Sequence, residues 1–488
     1  MKLAAKSMLF LIALTVTTLA FAQTLPHFDH IIIVVQENRT PDDIFGSGPA
    51  SANCQSEDPF EPGVDIVDGG YGYIQGQRQQ ICNISQPMNV VYDPAHGYEG
   101  GWYPQYDNGH MDGFCQVQFI LGGTITCAQY SYVQRSDVQP YFDIATSYGF
   151  ANYFFETNEG PSFPAHQFLF TGTSAPVAPP NNNYLDFISE NSGFPYSGCP
   201  DDHNKAEWID PAAVEQPGSL ECYTHDSLVT SSSGDKGVSW RYYTPTEGVI
   251  WDAPASIPEV CYGENNLNNQ GQPCSGTEWT KHIVLPNTGG YDGAPILDDI
   301  ASCSLQKISW VIPDEVWSDH PGHSGPAYGP SWVGDIIDAV GNSWTQSEGG
   351  GVCDYWGNHT NDTTAIFVVW DDWGGWFDHV TPPFVYRGTD NPPSCTAQEA
   401  PNGWGCGNVY GFRVPFLAVS EYTQAAYVSG ACTGNCPNKN FPYVHDFGSI
   451  LAFTEHNFGL KFIDQSGDNG YADANALDGA QGNIPLSD

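Results

Sequence analysis

Four short runs of apolar, largely β-branched residues constrain this chain most: Ile31 to Val35, Ile308 to Ile312, Ile366 to Trp370 and Val414 to Val419. Their apolar character is continuous rather than alternating, which marks strands covered on both faces, as in parallel sheets flanked by helices. Helical stretches are expected at Gln139 to Tyr148, Pro164 to Thr171, Ser331 to Ala339 and Phe447 to Asn457, the last with apolar residues at helical spacing. The pattern is α/β, with a parallel or mixed central sheet.

Two segments interrupt it. Residues 48–85 and 176–295, the latter rich in Asn, Gly, Pro and Ser and holding four cysteines, read as disulfide-pinned excursions that cap a substrate cleft. Residues 1–22 carry Lys2 and Lys6, an apolar run from Met8 to Leu19 and the small-x-small site Ala20-Phe21-Ala22, the layout of a signal peptide. The mature chain is then expected to be one catalytic domain over 23–465, with 466–488 as a loose acidic tail. All 14 cysteines follow the leader, and an even number in an exported chain implies up to seven disulfides, Cys432 and Cys436 being spaced for a small-loop bridge. A zinc site is the alternative, but no pair of CxxC motifs is present.

Charge narrows the function. With 56 Asp+Glu against 14 Lys+Arg the net charge is −42, too few cations to build a counterion-releasing surface, so a nucleic-acid binder is excluded. Such self-repulsion is relieved where carboxylates are protonated, which points to an acidic habitat. A secreted or periplasmic location follows from the leader and the cysteines, and no later stretch approaches the roughly 20 apolar residues of a membrane span.

The chemistry-bearing residues trail the strands. Gln36-Glu37-Asn38-Arg39-Thr40 follows the first run, at the strand end where open α/β sheets bind ligands. Glu and Asn oxygens there suit a hard or borderline divalent cation, although the segment also reads as a polar turn and Asn38-Arg39-Thr40 as a glycosylation sequon. Asp371-Asp372-Trp373-Gly374-Gly375-Trp376-Phe377-Asp378-His379 follows the third run; adjacent carboxylates repel unless a cation sits between them, and two glycines let backbones approach closely. In Glu159-Gly160-Pro161-Ser162-Phe163-Pro164-Ala165-His166, Ser162 heads a helix, either as its cap or as a hydroxyl that attacks when a metal is adjacent. His96 in Asp93-Pro94-Ala95-His96 and His320 in Ser318-Asp319-His320-Pro321 complete a set converging on one sheet edge.

In their order these blocks resemble the bacterial phosphoesterase family that contains phosphatidylcholine-hydrolysing phospholipases C and a secreted acid phosphatase, a branch of the alkaline phosphatase-like superfamily. The resemblance runs from Phe28-Asp29-His30-Ile31 through His110-Met111-Asp112-Gly113-Phe114 and Arg413-Val414-Pro415 to His445-Asp446-Phe447-Gly448-Ser449. It implies a three-layer α/β/α sandwich and a covalent mechanism with Ser162 as nucleophile. It further implies a divalent metal (zinc, calcium or another) held by Glu37, Asn38, Asp371 and Asp372 beside Ser162, with His96, His320 and His379 binding phosphate oxygens or protonating the leaving group, and His445 in a supporting place. The chain departs from the family pattern at Thr40-Pro41-Asp42-Asp43, at Ser162 in place of Thr, at the Asp371-Asp372 pair in place of Asp-Glu, and at Ala165-His166 in place of Asn-Arg.

The expected substrate is a phosphomonoester, because the chain ends soon after the last α/β block. A phospholipase C acting on a phospholipid headgroup is the rival, for which Trp356, Trp370, Trp373 and Trp376 would form an aromatic box around choline. A non-catalytic secreted binding protein would not need Ser162 and the four metal-type residues. A sulfatase-like hydrolase would need Arg where His166 stands.

Overall fold

A computed structural model of the chain describes residues 27–463 and Ala472, apart from residues 49–53, 55–59, 122–125, 177–186, 192–196, 202–204, 210–213, 221, 224, 231–237, 264–268, 287–293, 323–324, 347–352, 358–361, 384–409 and 432–442. The leader, the Cys432 and Cys436 pair and the acidic tail other than Ala472 lie outside the described residues.

The core is an eight-stranded sheet built from β1 (His30–Gln36), β2 (Gly149–Ala151), β3 (Trp240–Tyr243), β4 (Ile283–Val284), β5 (Ile308–Val311), β6 (Thr364–Trp370), β7 (Phe416–Val419) and β8 (Tyr427–Ser429). Their spatial order is β4-β3-β5-β1-β6-β7-β2-β8, and only β7 runs antiparallel to its neighbours. All four apolar runs are strands here. β1 and β6 lie in the interior of the sheet with every residue buried, which is why their sequences show no alternation.

Four helices of ten residues or more occupy the places expected of them: α1 (Arg135–Ser147), α2 (Ser162–Thr171), α3 (Tyr328–Gly341) and α4 (Phe447–Phe458). α1 starts earlier than expected, running through Pro140 from Arg135 at the loss of one intrahelical N–H bond. Tyr141 of α1 packs edge-on against Trp370, and Phe453 of α4 against Phe367. Three residues apart on one strand, Trp370 and Phe367 point to opposite faces of the sheet. The fold is thus mixed α/β around a mostly parallel sheet.

Residues 176–295 do more than form an excursion. β3 and β4 come from this segment and extend the sheet beyond β5, with Trp240 in register with Ile308 and Tyr242 with Ile283. Trp-Arg-Tyr-Tyr is aromatic and interrupted by a half-buried arginine, so it lacks the β-branched run that marks the central strands. Five disulfides pin the polar segments: Cys54–Cys82, Cys115–Cys127, Cys199–Cys222, Cys261–Cys274 and Cys303–Cys353. Every cysteine among the described residues is bridged, which removes the zinc alternative for them.

Candidate active site

Strand register builds the site. β1 and β6 pair in parallel with Gln36 opposite Trp370, so Glu37-Asn38 and Asp371-Asp372 leave the sheet side by side. The two chains stay laced beyond it, Asp371 N–H donating to the Gln36 carbonyl (2.9 Å) and Arg39 N–H to the Asp372 carbonyl (3.0 Å). Asn38 has φ 59°, in the left-handed region, and its N–H donates to Asp371 Oδ1 at 3.1 Å. Gly374, at φ 63°, lies so close to this turn that a Cβ would stand 2.3 Å from the Asn38 carbonyl oxygen. A Cβ on Gly375 would stand 2.6 Å from Pro94 Cβ, so both glycines are needed for close approach.

Ser162 enters as the first residue of α2. It is 2% exposed, and its hydroxyl donates to Asp372 Oδ2 at 3.1 Å instead of capping the helix. Asn191 Oδ1 takes the N–H of Phe163 at 2.8 Å, so the first turn is partly satisfied from outside. One turn on, His166 faces the same cluster, with Nε2 3.4 Å from Asp371 Oδ2.

His96 Nδ1 lies 2.7 Å from the Pro94 carbonyl and its Nε2 3.0 Å from Asn38 Nδ2. In the neutral tautomer that donates from Nδ1 to Pro94, Nε2 accepts from the Asn38 amide. His320 sits edge-on to His96 with ring centroids 6.1 Å apart, and Asp93, His96 and His320 bring potential ligand atoms within 4.8 Å of one another. His445 is buried on another element pair, hydrogen-bonded to Ser429 Oγ at 3.2 Å beside the capped start of α4.

His379 is placed in a different cluster. Its Nδ1 is 2.8 Å from Asp42 Oδ2 and its Nε2 3.1 Å from Asp65 Oδ1, so both ring nitrogens are committed. Arg413 completes this network through Asp378 (3.0 Å) and Asp42 (3.4 Å). The turn at Gly374-Gly375 carries the chain away from the acid pair before His379 is reached. Burial opposes a charge on His379, but Asp42 and Asp65 outweigh it and push the imidazole up to about 10. A pKa raised above its unfolded value of about 6.5 stabilises fully below that pH and loses its effect as pH climbs through the folded value. His379→Gln is therefore expected to cost about 3 kcal/mol at pH 6. The deficit should shrink steadily from pH 6.5 to 10 in urea unfolding curves; a deficit independent of pH would mean that packing, not charge, holds this cluster.

The electrostatics of the Ser162 cluster are one-sided. Burial, then Asp371 and Asp372, raise Glu37 well above the usual carboxylate range. Burial and Asp371 push Asp372 up to about 8. Burial disfavours charge on His96, yet Asp372 and Asp93 drive it up to about 9. Glu156, which the sequence did not single out, is also buried beside the acid pair, and burial, Asp372 and Asp371 raise it strongly. Among the described residues the two fully buried arginines are engaged elsewhere, Arg39 with Asp43 and Arg413 with Asp378 and Asp42.

These residues fit a divalent cation. Glu37 Oε1 and Oε2, Asn38 Oδ1 and Asp371 Oδ2 are buried without a hydrogen-bond donor among the described residues. The Trp251 indole N–H is near enough to Glu37 to favour its charge slightly without forming a bond of normal geometry. Clustered oxygen acceptors lacking donors destabilise a fold unless a cation satisfies them. Three of the four tryptophans, by contrast, are core: Trp370, Trp373 and Trp376 have no exposure, and Trp370 and Trp373 donate to Asp319 Oδ2 and Gln105 Oε1. Trp356 packs edge-on against Tyr148.

The pattern of the phosphoesterase family matches residues 28–461, which include every residue of this cluster. The chain belongs to that family. It is 24% identical to the "Non-hemolytic phospholipase C" of Burkholderia pseudomallei over 90% of this chain and 56% of that protein. It is 23% identical to the "Phospholipase C A" of Mycobacterium tuberculosis over 82% of this chain and 69% of that protein. The "Non-specific phospholipase C6" of Arabidopsis thaliana is 22% identical, over 88% of this chain and 68% of that protein. The chain spans about half the length of the non-hemolytic phospholipases that it matches.

Proposed function

We propose that this chain is an exported, metal-dependent phosphoesterase, built on a three-layer α/β/α domain, that cleaves phosphate esters through Ser162. The observation that carries the reading is the buried Ser162 hydroxyl, held 3.1 Å from Asp372 in a cluster of donor-less oxygens. Asp372 Oδ2 accepts the hydroxyl hydrogen, which turns a lone pair of Oγ outward to attack phosphorus. The ester P–O bond breaks as Ser162 becomes phosphorylated, and His96 and His320 contact the phosphate oxygens and protonate the leaving alkoxide. Water then cleaves the phosphoserine and restores the hydroxyl. A divalent cation bound by Glu37, Asn38, Asp371 and Asp372 would lower the hydroxyl pKa and neutralise charge on the phosphoryl oxygens. Export is supported by the leader pattern and the five disulfides, while no helix among the described residues is long and apolar enough to cross a membrane.

The preferred substrate is read as a phosphomonoester, in the manner of an acid phosphatase. Burial of Trp370, Trp373 and Trp376 speaks against an aromatic box for a choline headgroup, and a net charge of −42 disfavours anionic membranes. Phospholipid headgroup hydrolysis is the second reading, favoured by the printed names of the relatives. A chromogenic phosphate monoester and the matching phosphorylcholine diester, compared from acid to neutral pH with and without chelator, separate the two. Chelator-sensitive turnover mainly of the monoester is expected. Preference for the diester would make the chain a phospholipase C, and no turnover of either with any metal would leave only a binding role.

A further inference from the structure

We infer that His166 is a nitrogen ligand of the metal, which gives this site a mixed nitrogen and oxygen donor set and selects zinc over calcium. The inference rests on the metal-dependent reading above and concerns which residues of this chain hold the ion.

His166 is 1% exposed, and neither ring nitrogen makes a hydrogen bond with a described residue. A buried imidazole carries one donor and one acceptor that both need partners, so leaving the two unmet costs stability. Its Nε2 stands beside Asp371 Oδ2, which likewise lacks a hydrogen bond among the described residues. Their separation is 3.4 Å, longer than the roughly 2.7–2.9 Å of a charge-assisted hydrogen bond. The same molecule makes such a bond elsewhere, His379 to Asp42 at 2.8 Å, so a short imidazole–carboxylate contact is available to this fold where it serves to pair charges. Two ligands bound about 2.0–2.2 Å from one ion stand at most about 4.4 Å apart, and the 3.4 Å between His166 Nε2 and Asp371 Oδ2 lies within that reach.

Placement agrees with distance. Ser162 and His166 sit one turn apart on α2 and face the same side, the first toward Asp372 and the second toward Asp371. The helix thus delivers a hydroxyl and an imidazole to the two members of the acid pair at once. Calcium takes oxygen ligands, whereas imidazole suits zinc and other transition metals, so adding His166 shifts selectivity toward the latter.

The test uses the full mature chain stripped of metal and titrated with zinc and with calcium. Wild-type protein is expected to bind one zinc with imidazole scattering in its X-ray absorption spectrum. In His166→Gln zinc affinity should fall at least about tenfold while calcium affinity changes less than about threefold, and the imidazole signal should disappear. In His96→Gln and His320→Gln that signal should persist, and these two variants with the wild type decide the question should His166→Gln fail to fold. An all-oxygen zinc shell in the wild type, an unchanged zinc affinity in folded His166→Gln, or loss of the imidazole signal in His96→Gln or His320→Gln overturns the assignment. Uptake of neither metal by the wild type refutes the metal-dependent reading itself, a distinct result.

Discussion

Ser162→Ala is expected to lower turnover by about 10⁴-fold or more while the chain stays folded. The covalent step needs an oxygen that attacks phosphorus and is later released, and the Ser162 hydroxyl is the one held at Asp372. Folding survives because alanine favours the helix and Ser162 supplies no cap, the residue before α2 being Pro161. The stability cost is confined to Asp372 Oδ2 losing its donor, about 1–2 kcal/mol. Two measurements check this: steady-state hydrolysis of a chromogenic monoester, and mass spectrometry of the Ser162 peptide after acid quenching during turnover. A phosphoryl adduct is expected in the wild type and absent in the variant. A variant within tenfold of wild-type rate would sink the covalent mechanism, leaving Ser162 as a residue that merely orients Asp372.

The fold was legible where burial leaves a local trace. β1 and β6 are buried on both faces over seven residues each, and β-branched runs of that length have few other uses. β3 and β4 left no such trace: β3 is a four-residue aromatic strand interrupted by half-buried Arg241, and β4 is a two-residue, half-buried strand at the sheet edge. Within the site, both halves of the acid and amide cluster were visible as polar residues trailing strands. Their meeting was not a local property: it depends on Gln36 lying opposite Trp370 across 334 positions of sequence, a matter of register. His166 had a signal, its i+4 spacing from Ser162, which places both on one helix face. Glu156 had none, since a lone Glu after two phenylalanines looks like any strand end. His379 illustrates the opposite failure. Seven residues from Asp372 it reads as part of the same motif, but Gly374 and Gly375, both at positive φ, fold the chain back toward Asn38 and Pro94 and send His379 to Asp42, Asp65 and Arg413.

Asp371→Asn is expected to empty the metal site while leaving the metal-free protein as stable as the wild type or more so. Asp371 Oδ1 accepts the N–H groups of Asn38 (3.1 Å) and Asp372 (2.7 Å), and asparagine keeps that oxygen and hence the turn. What it loses is the charge and the free Oδ2 facing His166. In the presence of chelator the charge is a liability, since Asp371 repels Glu37, Asp372 and Glu156 and its removal eases all three. With metal the sign reverses. A ligand at a hundred times its dissociation constant adds about 2.7 kcal/mol to a protein that binds it and nothing to one that does not, so the wild type should unfold at higher temperature than the variant. Activity should fall by about 10³-fold or more, because charge on the phosphoryl oxygens is no longer neutralised. Elemental analysis after dialysis and thermal unfolding with and without chelator give both halves of the result. Stoichiometric metal in the variant would remove Asp371 from the ligand set, and a variant less stable than wild type even in chelator would show that Asp371 serves as an ion-pair partner for His166.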